Sequence, residues 1–405
     1  MNGTSLRGAS RVFAVVTEAF GLMIDVPHWT TGRLWLMRLG LAMLTQPLEM
    51  ADDWIWLADH SVQIGQEKCL AIIAIRARDL PQDRCLEHKD MHLVALEPRA
   101  SWNGEEVHKA FERAVSRTGV PRGIVTDHGA DMQGGVRIFQ GRHKDTVDLY
   151  DIKHKAACLL KQRLEKDPRW AEFQKQIGHT RCAVRQTEVA FMGPPAPKSK
   201  ARFMNLQPQL AWAENVLDVL SEFGKALEWA SRERIEEKYG WLKEFDEASA
   251  EWSQWQQVVK IAVAHVNRYG LSRTSAKELS GELSKAMPRR WAHASTKKLV
   301  KDLLGFVRDQ SKRLKTGERL PGSTEVLESC FGKMKQLEKQ QARGGFTTLI
   351  VSFGAMLADT TSQVITAALQ HSRTKDIYDW CKKHLGTTLW SKRKQAFAES
   401  ATNCG

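Results

Sequence analysis

The stretch Trp54-Ile55-Trp56-Leu57-Ala58-Asp59-His60-Ser61-Val62-Gln63-Ile64 leads through Gly65-Gln66-Glu67 into Lys68–Arg76, and its reading decides the fold. Both runs are rich in Ile, Val, Trp and Leu, and the glycine between them predicts an antiparallel hairpin. Outward from it, His92–Glu97 reads as a third short strand. Glu105–Arg117 reads as an amphipathic helix, with Val107, Phe111 and Val115 at i, i+4 and i+8. Gly123–Thr126 and Val147–Tyr150 are two further strands, and Asp131–Phe139 and Lys153–Leu164 are helices. Three strands in a meander followed by alternating units predict an α/β fold on a mixed sheet, the later strands joining in parallel.

Helical spacing surrounds this core. Ser5 can cap a helix through Arg7, Arg11, Val12, Val15 and Val16. Thr30 or Thr31 can open a second, with Arg33, Leu34, Trp35, Met37, Arg38 and Leu39, stopped by Gly40. A short pair with a basic second member is what a helix-turn-helix needs. Residues 166–320 are an all-helical insertion, whose tryptophans at helical spacing are expected in its core rather than stacked on bases. Gly344–Ala358, 15 residues without a charge, is expected to be a buried helix and falls short of a membrane span. The segments are therefore 1–48 (helix-turn-helix-like), 49–165 (first part of the core), 166–320 (insertion) and 321–405 (core completion and C-terminal helices).

Charge is divided along the 405 residues. The formal net charge is +13, yet residues 1–150 carry 17 basic and 19 acidic side chains, so the whole excess lies beyond them. The first part can host a carboxylate cluster and the second a cationic surface, which suits a polyanionic partner. The 7 cysteines include no Cys-x-x-Cys pair. Neither a structural zinc site nor a disulfide framework is expected, which places the chain in a reducing compartment.

An ionised carboxylate inside a strand is costly unless it is paired or metal-bound. Asp59 lies in the first strand and Asp127 ends the fourth; those two strands are neighbours in this order, so both carboxylates can face one point. A third acid should come from a helix beside them. In Thr324–Gln341 the apolar stripe is Leu327, Cys330, Phe331, Met334 and Leu337. Glu325 points away from it and Glu328 sits nearer its border. Glu328 is therefore the expected third acid, with Glu325 second. Lys335, two turns on along the same face, is a candidate phosphate contact. His154 could orient a phosphate or metal-bound water, or cap its helix through Asp151. Asp131 is expected to be a helix-start acid, and Asp52 and Asp53 to be solvated.

These residues carry a resemblance. Aspartates on strands one and four with a glutamate on a late helix resemble the ribonuclease-H-like DDE transposases and integrases. Val125-Thr126-Asp127-His128-Gly129 is similar to the Thr-Asp-Asn-Gly motif of integrase cores, with His in place of Asn. Tyr150-Asp151-Ile152-Lys153-His154 is similar to the Asp-x-x-His motif of DDE transposases that carry a helical insertion before the glutamate. Asp59–Gly65 and Asp151–Leu160 resemble bacterial insertion-sequence transposases in particular, and the likeness covers about residues 5–360.

The resemblance implies a ribonuclease-H-like core in which Asp59, Asp127 and Glu328 hold two Mg²⁺ ions, with Mn²⁺ able to substitute. Oxygen donors suit Mg²⁺, and two such ions clamp both oxygens of an in-line phosphoryl displacement. It also implies cleavage at element ends in double-stranded DNA, strand transfer into target DNA, a homo-oligomer (a dimer on paired ends) and a bacterial cytoplasmic, nucleoid-associated location, with no membrane. Arg33 and Arg38 of the second helix, with Arg289, Arg290, Lys312, Arg313 and Lys335, are the expected DNA contacts. A nuclease that cuts without joining and an inactive DNA-binding remnant are the alternatives.

Overall fold

The computed structural model describes residues 5–61, 68–196, 206–221, 230–286, 293–339 and 348–385. The chain forms two compact units. The first comprises 1–151, 267–269 and 319–405; the second comprises 152–266 and 270–318.

The first unit is built on a five-stranded mixed sheet of order β3-β2-β1-β4-β5. Its strands are β1 (Trp54–Ser61), β2 (Lys68–Arg76), β3 (His92–Arg99), β4 (Gly123–Thr126) and β5 (Val147–Tyr150). β2 runs antiparallel to β1 and β3, while β4 lies parallel to β1 and β5 parallel to β4. Each of the five begins where the apolar pattern predicts. β1 is described only to Ser61, and the expected turn and the last residues of the first run lie outside the described residues.

One face of the sheet carries Trp54, Trp56, Ala58 and Ile124. They pack on α3 (Gly104–Thr118) and α4 (Ala130–Arg142) through Val107, Phe111, Val136 and Phe139. Asn103 caps α3 by accepting the Glu106 N–H at 2.9 Å, and the stripe Val107, Phe111 turns inward because those positions share one helix face. Trp56, Phe111 and Phe139 form an aromatic triad with centroids 5.8–5.9 Å apart. Side chains alternate along a strand, so Ile55, Leu57 and Asp59 point to the opposite face.

At the N-terminus, Ser5 caps α1 (Leu6–Ala19), accepting the Gly8 N–H at 2.9 Å. α2 runs over Trp29–Thr45, so the expectation that Gly40 would stop it is corrected. Gly40 is in mid-helix because another backbone crosses there. A Cβ on Gly40 would lie 2.1 Å from the Val351 carbonyl oxygen, and one on Gly354 would lie 2.4 Å from that of Gly40. The crossing segment, Thr348–Met356, is 3-10 helix and is buried from Leu349 to Met356. The burial from Leu349 to Leu357 is as expected of this apolar stretch and its tighter winding is not; residues 344–347 of the stretch lie outside the described residues.

The arginines expected to contact DNA from α2 also bond within the chain. Arg33 donates to Thr348 Oγ1 at 3.0 Å. Arg38 donates to the carbonyls of Ser372, at 2.7 Å, and Leu369, joining α13 (Ser362–His371) to α2 ahead of α14 (Thr374–His384). Asp53, expected to be solvated, instead pairs with Arg76.

The second unit is all helix: α5 (Ile152–Leu164), α6 (Pro168–Val184), α7 (Gln207–Ser221), α8 (Arg232–Tyr239), most of α9 (Asp246–Tyr269), α10 (Ser275–Ala286) and α11 (Ala294–Ser311). α5 belongs with these helices, although its sequence follows directly from the sheet. Trp252 is fully buried against Trp170 and Phe173 and donates to Asp167 at 3.2 Å. Asp167 also caps α6 and takes Arg169, which holds its carboxyl below the ordinary range despite burial. The described tryptophans of this unit are packed as the helical spacing predicts; Trp229 and Trp291 lie outside the described residues.

Candidate active site

The site is assembled at the carboxyl ends of three adjacent strands by ladder register. β1 and β4 pair Leu57 with Val125, so Asp59 and Asp127, each two residues further, stand at the same level on the same face. β4 and β5 pair Thr126 with Tyr150, and the next residues are Asp127 and Asp151. The Asp151 N–H continues the ladder by donating to the Thr126 carbonyl at 2.9 Å. Three carboxylates therefore line the ends of β1, β4 and β5, away from the aromatic triad.

These acids feel one another's charge. Burial pushes the Asp59 carboxyl from the ordinary 3.8 to about 8. Asp127 adds to the rise, the His60 N–H bond opposes it, and Glu328 and Asp151 add further. That N–H lies 2.6 Å from Asp59 Oδ1. Like charges gathered in a partly desolvated place raise carboxyl pKa values in this way. Such perturbation marks places where a counter-charge is to be held.

Asp127 opens a tight turn. Its Oδ1 accepts the Gly129 N–H at 2.8 Å, and His128 between them adopts φ 56°, rare for a residue with a side chain. The imidazole compensates by bonding Asp148 at 2.8 Å and stacking on Tyr150 at 4.3 Å. An asparagine, as in integrase cores, tolerates this conformation with less help. A Cβ on Gly129 would lie 3.2 Å from both Asp127 Oδ1 and Asp131 Oδ1. Asp131 is in the first turn of α4, as expected, and its carboxylate also faces His60 at 3.4 Å and Lys68 at 4.0 Å.

The third acid comes from α12 (Glu325–Lys339). Leu327, Cys330, Phe331 and Met334 are buried, which leaves Glu325 and Glu328 on the open side of the helix. They differ in surroundings: Glu325 accepts from the Asn267 amide, whereas Glu328 is the one whose charge Asp59 feels. Lys335 is half-buried and faces Glu338, lowering the pKa that burial of that carboxyl raises.

Of the remaining candidates, His154 is exposed in the first turn of α5, in the second unit. Lys312 and Arg313 are exposed just beyond α11, Lys312 pairing with Asp309 at 3.1 Å. Arg289 and Arg290 lie outside the described residues. Asp151 entered the sequence reading only through the Asp-x-x-His motif and as a partner for His154, not among the acids, although it is fully buried and bonds the start of α12. The available signal was its position one residue past a strand that pairs with the strand of Asp127.

Chemically, the strand ends offer carboxylate oxygens, donors of the kind that bind Mg²⁺. The donor set fits such ions. As they stand, no three His, Cys, Asp or Glu side chains among the described residues are drawn together tightly enough to hold one. No helix among the described residues is long and apolar enough to cross a membrane.

No protein-family model matches the chain, and no curated protein matches it. Among solved structures it is similar to the Drosophila P element transposase strand transfer complex, at TM-score 0.42 and 10% identity, over 90% of this chain and 93% of that chain.

Proposed function

We propose that the chain is a DNA transposase of the bacterial insertion-sequence kind, with a ribonuclease-H-like core and Asp59, Asp127 and Glu328 as its acidic triad. One observation carries the reading. Two aspartates at matched register on adjacent parallel strands share their charge environment with a glutamate from a helix some two hundred residues further along the chain. That convergence is expensive for a metal-free protein and has a use if cations are to be held.

Asp59 and Asp127 would hold two Mg²⁺ ions, or Mn²⁺ in their place, and Glu328 would complete the set. When bound, such ions supply charge neutralisation at the scissile phosphate and activation of the attacking oxygen. The residues of the chain do the placing. The β1–β4 ladder sets the separation of the two aspartates, and the Gly129 N–H fixes the rotamer of Asp127. The basic second unit, with Lys312 and Arg313, together with Lys335 of α12, would neutralise DNA phosphates. The N-terminal helices, read as a helix-turn-helix, would recognise element ends. The protein would act as a homodimer on paired ends of double-stranded DNA, in the bacterial cytoplasm at the nucleoid.

The test is incubation with labelled duplexes made from the flanks of its own gene, in Mg²⁺ or Mn²⁺, with a target plasmid. End cleavage followed by joined products is the expected result. Substituting asparagine for Asp59 or Asp127 should abolish both by about 10³-fold, the several kcal/mol that metal-assisted chemistry supplies. Hydrolysis without joining would identify a nuclease. A second reading, a DNA-binding remnant that no longer cuts, is favoured by the absence of a closed metal-binding group among the described residues. Binding without any metal-dependent cleavage would establish it.

A further inference from the structure

The best-buried carboxylate near the strand ends is the one the proposed triad leaves out. Asp151 is fully buried, yet its Oδ2 is not wasted on solvent. It accepts the Thr324 N–H at 2.5 Å and the Thr324 hydroxyl at 3.0 Å. Thr324 immediately precedes α12, and its carbonyl accepts the Leu327 and Glu328 N–H groups at 2.9 and 3.0 Å. A threonine in this place ordinarily turns its hydroxyl oxygen to accept from the first turn of its own helix. Here the hydroxyl donates outward, to a carboxylate 173 residues earlier in the chain. The helix start is anchored to the sheet in addition to the local bond by which Ser323 Oγ accepts the Glu325 N–H at 3.2 Å, and a negative charge at a helix N-terminus is itself favourable.

We infer that Asp151 is the positioning residue of this site: by gripping Thr324 it sets the height and rotation of α12, and thereby where Glu328 stands over Asp59 and Asp127. The connection is short on both sides. The Asp151 N–H is held by Thr126, the neighbour of Asp127, and Glu328 is one helical turn from Thr324. Sliding α12 by a single residue would move Glu328 by about 1.5 Å along the axis and swing it by about 100°. Its carboxylate would then leave the strand ends. The inference rests on the proposed role of Glu328 as third acid.

Two measurements on the full-length protein test it. The first is amide exchange over 323–331 without metal, in wild type, Asp151→Asn, Thr324→Val and Thr324→Ser. Protection should fall in the first two variants and persist in Thr324→Ser, which keeps both donors. The second is Mn²⁺ titration by calorimetry. Asp151→Asn and Thr324→Val should weaken binding about 10-fold, as loss of a residue that orients a ligand does. In a Glu328→Gln background, Asp151→Asn should add less than about 2-fold, because its effect passes through Glu328. Unchanged protection overturns the inference, as does an undiminished second loss in that background. If wild type takes up no Mn²⁺ at all, the metal-dependent reading of the site falls, while the exchange result still decides whether Asp151 anchors α12.

Discussion

The strand ends and the α12 helix present the same kind of side chain on two different supports. Asp59 and Asp127 stand on a backbone ladder, where register leaves them no freedom to part. Glu328 stands on a helix whose location depends on a tie to Asp151, on the buried stripe of Leu327, Cys330 and Phe331, and on the 3-10 segment beneath it. Phe331 meets Phe353 of that segment at 5.6 Å. The difference teaches that two acids of the proposed triad are placed by secondary structure and the third by packing. Distant substitutions should therefore disturb Glu328 and spare the aspartates.

The largest effect should come from the crossing that supports α12 from behind. Gly40→Val would drive a branched side chain into the Val351 carbonyl. It should cost about 3 kcal/mol by overpacking, read as a fall in the denaturation midpoint. If the variant is as stable as wild type, the glycine crossing is not a close approach.

Next comes the charge at the strand ends. Asp59 titrates near 8 when folded and near 3.8 when not. Between those values the folded protein holds a proton that the unfolded chain has released, so metal-free stability should fall as pH rises from about 4 to about 8. Asp59→Asn should flatten that slope and leave the protein more stable at pH 8 by roughly 1–3 kcal/mol. A stability profile unaltered by the substitution would mean that the carboxylates are not crowded.

A smaller effect separates the two glutamates. Glu328→Gln should reduce cleavage by at least about 10²-fold, and Glu325→Gln by less than about 3-fold, since Glu328 adds its charge to Asp59 while Glu325 accepts from the Asn267 amide. The reverse ranking in cleavage assays would move the third acid by three residues along α12.

The least is expected from the basic residues, and it divides them. Arg38→Ala should lower stability by about 1–2 kcal/mol through lost bonds to the Ser372 and Leu369 carbonyls, without altering the salt dependence of DNA binding. Lys312→Ala with Arg313→Ala should leave stability alone and reduce the slope of log affinity against log salt by about 1–2. Equal effects of both on the slope would show Arg38 to be a phosphate contact.

Much of the sheet was legible because its signal is local. β-Branched and aromatic runs bounded by Gly and Pro mark strands wherever they occur, and Asp59 and Asp127 were conspicuous as charges within such runs. α2 was misjudged at Gly40, because a glycine that ends a helix and one that admits a crossing chain look alike in sequence. Only the approach of Val351 distinguishes them. Arg33 and Arg38 read in sequence only as basic residues on a second helix; their bonds to Thr348, Ser372 and Leu369 are seen only in the fold. Whether a guanidinium meets a phosphate or a helix-end carbonyl depends on what lies across from it.

By itself, then, the sequence determined the strand order, the pairing that brings the two aspartates level, the all-helical character of the second unit and the two glutamates eligible as third acid. The tertiary structure alone decided that a second chain segment crosses α2 at Gly40, that Glu328 adds its charge to Asp59, and that Asp151 bonds Thr324 at the start of α12. The physical reason is range. Alternation and periodicity are written in neighbouring residues, whereas the bond from Asp151 to Thr324 joins positions 173 apart and exists only once both chain segments have found the same edge of the sheet.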